Sequence, residues 1–242
     1  MNKYGLWPLR IIYGLLIMMV SVHSMASIII SGTRVIYSAE QKEVTVKLTN
    51  VGKKPVLIQA WIDRGNTDES PESIRVPFIL TPSINRVNPD QGQMLRLSFT
   101  GPALPADRES VFWLNVLELP AKVRAGQMQN HLQMAFRTRI KLFYRPEGLK
   151  GKANEAIKEA RWYSANGKIS VTNPTPYHIS LVSLAFKTPH GEKIIEGQML
   201  EPQSTREIPF NEMRREYSGQ SLNVEFVNDY GAINKMMVRL SG

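Results

Sequence analysis

From Ser27 onward, no segment of this 242-residue chain sustains the apolar period of 3.6 that a long helix requires. The text is a succession of short β-branched and aromatic runs cut by turn residues, which confines the chain to an all-β fold. In the first half the candidate strands are Ser27 to Tyr37, Glu43 to Asn50, Pro55 to Asp63, Arg75 to Thr81, Gln93 to Thr100, Val111 to Leu119 and Asn130 to Tyr144. Turn formers such as Asn50-Val51-Gly52, Asn88-Pro89-Asp90-Gln91-Gly92 and Gly101-Pro102 separate them.

Seven strands in about 120 residues fit an immunoglobulin-like sandwich. After Tyr144 the run Arg145-Pro146-Glu147-Gly148, followed by the polar Lys150-Gly151-Lys152, stops the last strand and reads as a short hinge. A second set of candidates follows: Ala160 to Ser164, Lys168 to Asn173, Ile179 to Lys187, Lys193 to Met199, Ser204 to Pro209, Ser221 to Asn228 and Asn234 to Leu240. Asn154 to Glu159 can add one helical turn. The expectation is two immunoglobulin-like β-sandwiches, residues 27–146 and 147–242, although no internal sequence repeat links them.

Residues 1–26 stand apart. Lys3 and Arg10 flank the start of an apolar run, Ile11 to Val20, that ends in the small-x-small pattern Ser24-Met25-Ala26. This reads as a secretory signal peptide cleaved after Ala26, because the run is about half of the roughly 20 apolar residues that span a membrane. Export would permit disulfides, yet the chain has no cysteine, so each sandwich must hold by burial alone. Redox chemistry and thiolate metal sites are thereby excluded. Without the first 26 residues 28 basic and 21 acidic side chains remain, a net charge of +7. Residues 27–146 hold 16 basic and 10 acidic residues and 147–242 hold 12 and 11, so a partner should meet the first half. No acid occurs between Glu118 and Glu147, where Lys122, Arg124, Arg137, Arg139, Lys141 and Arg145 form one electropositive stretch. For most of these six the expectation is a solvated strand face. Nucleic acid is set aside as a partner because a secreted chain rarely meets it.

Catalytic signatures are missing. His131, His178 and His190 lack i, i+4 partners, there is no Gly-x-Ser-x-Gly elbow, and no glycine-rich loop joins a strand to a helix. The pair Asp68-Glu69 lies in a polar loop, Gly65 to Ser73, that reads as surface. An enzyme is therefore not expected. The informative segment is His131 to Tyr144. Along a strand Leu132, Met134 and Phe136 project together, opposite Gln133, Ala135 and Arg137. The run is about twice the usual strand of about 5 or 6 residues, so it overhangs something.

Several blocks carry a family resemblance. Thr33-Arg34-Val35-Ile36-Tyr37, Pro105 to Asn115 (PADRESVFWLN), Ile140-Lys141-Leu142-Phe143-Tyr144-Arg145-Pro146, Asn173-Pro174-Thr175-Pro176-Tyr177 and Asn228-Asp229-Tyr230-Gly231 occur in family order across nearly the whole exported chain. Together they resemble the PapD-like periplasmic pilus chaperones. The short Pro120 to Gln129 segment resembles their short-loop branch. The resemblance implies two sandwiches set in an L, with a pilus subunit bound along the last strand of the first domain and in the cleft between domains. Carried over by motif position, Arg34 and Lys141 match the pair that grips the subunit's terminal carboxylate. Leu132, Met134 and Phe136 match the donated apolar residues, and Glu109, Arg145 and Asp229 match an interdomain ion cluster.

The implied activity is that of a periplasmic chaperone that caps subunits and delivers them to an outer-membrane assembly platform, with no nucleotide or metal involved. Self-association through the exposed donor strand is a further expectation. One tension remains, since Lys141 and Phe136 have opposite parity and would face apart on a flat strand, calling for a bulge, a twist or a cleft that wraps the strand edge. The main competing reading is a secreted pilus subunit or adhesin, which would need one sandwich lacking a strand and a donor extension at its mature start. The other is a glycan-binding sandwich. That would want aromatics clustered with carboxylates, whereas Trp61, Trp113 and Trp162 are spread along the chain.

Overall fold

The computed structural model describes residues 27–120, 134–165, 168–188, 191–209 and 219–241. Leu132, Lys122, Arg124, His131 and His190, residues 1–26 with the signal peptide expected there, and the short Pro120–Gln129 segment beyond Pro120 lie outside them. The first sandwich begins with β1 (Ile28–Ile30) and β2 (Arg34–Ser38), then β3 (Val44–Asn50), β4 (Val56–Asp63), β5 (Phe78–Thr81), β6 (Ile84–Val87), β7 (Gly92–Phe99), β8 (Ser110–Pro120) and β9 (Phe136–Arg145). One sheet has the order β1-β3-β7-β5 and the other β2-β9-β8-β4-β6. Inward residues alternate along each strand and meet in one core, for example Val46 and Leu48, Leu95 and Leu97, Leu114 and Val116. Tyr37, Phe78 and Phe112 fill the end of this core nearest the second sandwich, where the Tyr37 hydroxyl donates to the Lys42 carbonyl and accepts the Phe99 amide.

Several boundaries differ from the sequence reading. The candidate strand Ser27 to Tyr37 is split: β1 pairs antiparallel with β3, and β2 pairs parallel with β9 in the opposite sheet. Gly32, at φ 113°, makes the crossing between sheets in a conformation that side-chain-bearing residues rarely adopt. Arg75 to Thr81 shortens to Phe78–Thr81, and Ile84–Val87 forms a strand that alternation alone did not suggest because it carries just two inward residues against the edge of β4.

The second sandwich opens with a 3-10 turn at Ala153–Glu155 and the one-turn helix α1 (Ala156–Glu159), whose Ala156 and Ile157 are buried. It continues with β10 (Arg161–Ala165), β11 (Lys168–Asn173), β12 (Ile179–Thr188), β13 (Gly191–Glu196), β14 (Met199–Leu200), β15 (Ser204–Pro209), β16 (Ser221–Val227) and β17 (Ile233–Arg239). The sheets are β10-β11-β15 and β13-β12-β16-β17, with β14 also on β12. Their core includes Trp162, Ile169, Val171, Leu184, Leu222 and Val224. The Asn173-Pro174-Thr175-Pro176-Tyr177 block is a turn built on a fully buried amide. Asn173 Nδ2 donates to the carbonyls of Tyr177 and Glu201, and its Oδ1 accepts from Thr175. That turn reaches back to the first sandwich, where the Glu109 amide donates to the Pro176 carbonyl at 2.9 Å.

Candidate functional site

The site is built on β9 and its two neighbours. On one side β8 pairs with β9 without a register shift from Ser110↔Tyr144 to Glu118↔Phe136. On the other side β2 begins only at Arg34↔Lys141. Among the described residues nothing pairs with that second edge from Phe136 to Ile140, so no described strand partners its backbone groups. The free edge exists because Gly32 turns the chain into the other sheet before it can run further along β9. Arg34 and Lys141 stand side by side where the edge closes.

The unbroken register removes the need for a bulge. Even positions of β9 face the sandwich core, where Ile140 and Leu142 are buried, and the same row continues outward to Phe136 and, past the end of the strand, Met134. There the core runs out, leaving Phe136 39% and Met134 53% exposed. Odd positions lie on the outer face, toward the second sandwich at its C-terminal end. Lys141 and Phe143 are on this face, so the two faces of β9 present two different chemistries. Ala135 is exposed. Met134 and Ala135 precede the strand proper, which begins at Phe136 and not at Asn130 as far as the described residues extend.

Lys141 Nζ donates to Ser180 Oγ at 3.3 Å, and Arg34 Nη1 donates to the Val227 carbonyl at 3.2 Å, both groups belonging to the second sandwich. Among the described residues neither cation has a carboxylate in salt-bridge range. Burial, and secondarily the charge of Arg34, holds the Lys141 ammonium below its usual pKa. Burial also lowers Arg34, against the opposing pull of Asp229 and Glu109. Arg34 Nε is buried without a hydrogen-bond partner. Two partly desolvated cations with donors to spare have the chemistry that suits an anion.

Behind this pair the sandwiches are tied by Arg145. Its Nε donates to Glu109 Oε1 at 2.7 Å, and Nη1 and Nη2 form a fork onto Asp229 at 2.8 and 3.0 Å. Burial alone would lower the guanidinium's pKa, but the bonds and charges of Asp229 and Glu109 outweigh it and raise it. Glu109 is also held by His178, whose backbone amide donates to Oε2 at 2.8 Å while the ring Nδ1 lies 3.3 Å away. The Asp229 amide donates to Asn154 Oδ1, and Gly231, at φ 83°, packs so tightly on Thr33 that an added Cβ would lie 2.5 Å from its hydroxyl. His178 and Asn154 were not singled out from the sequence. A lone histidine with no spaced partner gives no signal until the fold sets it against Glu109.

The electropositive stretch of β9 also differs from the expected solvated face. Arg137 and Arg139 both reach Asp63, which is fully buried at the end of β4, and each guanidinium lies 4.9 Å from an indole, Trp61 and Trp113 respectively. The acids missing from the local sequence are supplied by a strand some 75 positions earlier. Among the described residues no three His, Cys, Asp or Glu side chains cluster as a metal site would need.

Sequence comparison agrees with this geometry. Residues 27–150 match the family of "Pili and flagellar-assembly chaperone, PapD N-terminal domain", and residues 155–237 match "Pili assembly chaperone PapD, C-terminal domain". The chain belongs to the PapD family of pilus-assembly chaperones. It is 43% identical over 227 residues to the probable fimbrial chaperone YadV of Escherichia coli K12, covering 91% of this chain and 92% of that one. It is 44% identical over 216 residues to the chaperone protein FimB/FhaD of Bordetella pertussis, covering 86% of each. The crystal structure of YadV superposes with a TM-score of 0.76 at 40% identity, over 88% of this chain and 100% of that chain. A second PapD-type fold, the SafB chaperone of Salmonella enterica in complex with the SafA pilin, gives 0.74 at 26% identity, over 90% and 98%. The function is that of a pilus chaperone, and the reading as a pilus subunit or adhesin is not favoured.

Proposed function

We propose that this chaperone captures a pilus subunit by adding β9 to it, with Arg34 and Lys141 holding the subunit's C-terminal carboxylate. The observation that carries the reading is the edge of Phe136–Ile140, unpaired among the described residues, ending at two cations whose hydrogen bonds go to Ser180 and the Val227 carbonyl and not to a carboxylate. A client strand laid on that edge occupies the lane β2 vacates. If it runs parallel to β9, as β2 does, its last residue arrives at Lys141 and its terminal carboxylate falls between the two cations. Backbone hydrogen bonds along the edge supply affinity, while Met134 and Phe136, on the face that continues the chaperone's own core, enter the core of the client together with Leu132, which the motif adds to the donated set. The client thereby gains the strand its sandwich lacks, and an aggregation-prone edge is covered on both partners.

In this reading Glu109, Arg145 and Asp229 fix the angle between sandwiches, so that Ser180 and Val227 present the second-domain wall of the carboxylate site. The domain boundary falls at Pro146, directly after the last strand of the first sandwich. The chain is exported by a signal peptide cleaved after Ala26, works in the periplasm without bond chemistry, and hands its client to an outer-membrane assembly platform. The same free edge is available to a second chaperone copy when no client is bound. Chaperone–pilin pairing of the SafB–SafA kind supports a subunit as partner.

The test compares short strand-forming peptides bearing a free or an amidated C-terminus. The free acid is expected to bind more tightly, and Arg34→Ala and Lys141→Ala each to abolish the difference while leaving the protein folded. Equal affinity of the two peptides for the wild-type protein removes the carboxylate from the mechanism.

A further inference from the structure

We infer that Asp63 is a positioning residue for client capture, holding the outer face of the donor stretch rigid before the client arrives. The inference rests on the reading that Phe136–Ile140 is the docking edge, but it concerns a group that reading does not use. Asp63 is a fully buried carboxylate at the last position of β4, in register with Trp113 two strands from the docking edge. Its oxygens accept from Arg139, from Asn115 Nδ2 at 2.7 Å and from the Gly65 amide at 2.7 Å, with Arg137 Nη2 at 3.5 Å. Arg137 and Arg139 are the two outward residues of the docking stretch itself.

Each of these arginines is held from a second direction. Arg137 Nε donates to Asn115 Oδ1 at 2.9 Å and its Nη1 to the Thr67 carbonyl at 2.9 Å, with the guanidinium over Trp61. Arg139 lies over Trp113, and the face of that indole is closed by Gly65, where an added Cβ would stand 3.0 Å from the ring. The network thus pins the face of β9 opposite the donated side chains to β4, β8 and the loop after Asp63. A strand with one free edge lacks half of the ladder that normally holds it straight. Here side-chain bonds on the outer face stand in for the missing neighbour. Asp63 offsets one of the two charges of Arg137 and Arg139 and draws both guanidiniums onto β4, whereas Arg34 and Lys141, at the end of the edge, have no carboxylate in salt-bridge range among the described residues.

The consequence is kinetic. With Asp63 intact, two long side chains and the strand beneath them are ordered before binding; without it, they must be ordered during binding, which slows association. The experiment uses the full exported chain and a fluorescent peptide of alternating valine and threonine with a free C-terminal carboxylate, beside its amide. Asp63→Asn is expected to reduce the association rate about tenfold, the cost of immobilising two such side chains on binding. It should also speed amide exchange across Phe136–Ile140, leave exchange in the second sandwich unchanged, and retain the preference for the free acid. A merely structural role predicts a lower melting midpoint with association and β9 exchange as in wild type, and that result overturns the inference. Arg137→Gln guards against misfolding of the first variant, since its side chain is 30% exposed and it removes one link only. A wild-type association rate in Arg137→Gln, should Asp63→Asn not fold, equally overturns it. Loss of the acid preference in the wild-type protein would count against the carboxylate site and leave this inference standing.

Discussion

Replacing Arg145 with alanine removes the guanidinium that carboxylates of both sandwiches share. Glu109 Oε1 then loses a bond of 2.7 Å and Asp229 loses a fork of 2.8 and 3.0 Å. The two acids are unequal: the Glu109 side chain is 2% exposed and that of Asp229 is 23%. Breaking a buried ion pair by deleting one partner costs about 3 to 5 kcal/mol, and the lower end applies because Asp229 can rehydrate. What remains near Glu109 is the His178 amide, the ring Nδ1 and the charge of Arg34, which soften the loss without replacing it. For a cooperative unit of this size about 3 kcal/mol corresponds to a fall of roughly 6 to 12 °C in melting midpoint. Calorimetry of the purified protein measures the midpoint, and small-angle scattering reports whether the sandwiches keep their relative placement. Adding Glu109→Gln to Arg145→Ala should recover part of the stability, since it removes the stranded charge. A midpoint within about 2 °C of wild type and an unchanged scattering profile would refute the argument that Arg145 holds the domains.

Two further outcomes follow from the same geometry. Met134→Glu and Phe136→Glu should leave the melting curve nearly unchanged, because both side chains already stand outside the chaperone core, yet reduce client affinity about tenfold to a hundredfold through lost burial of about 1.5 to 3 kcal/mol and a charge placed in an apolar groove. Client co-purification at wild-type level with both variants folded defeats the donor role. Client binding should also weaken as pH rises, beginning below the range where a free lysine titrates, because burial and Arg34 lower the Lys141 pKa in the empty site while a bound carboxylate would raise it again. Binding takes up a proton, so the contribution is fully present below the pKa of the empty site, starts to fall there and is lost as pH rises through the higher pKa of the occupied site. A titration showing constant affinity through the alkaline range contradicts this, and Lys141→Arg should flatten the profile.

The all-β class and most strands were readable in the chain because alternation and turn chemistry are local: β9 ends at Arg145, one residue past the expected Tyr144, and Ser204–Pro209 falls where its residues alone place it. The motif positions of Arg34, Lys141, Glu109, Arg145 and Asp229 were likewise legible through resemblance. What local pattern could not carry was which edge of which strand stays open. That is decided by Gly32, whose crossing starts the parallel pairing of β2 at Arg34, a contact spanning more than a hundred residues. The parity conflict between Phe136 and Lys141 dissolves only when both faces of β9 have been assigned, one to a core and one to the neighbouring sandwich. Nor does an acid-free run of sequence imply an unpaired run of cations. Asp63 and Asp229 reach these cations from distant parts of the chain, because opposite charges in a folded protein pair through space, while sequence composition counts neighbours along the chain.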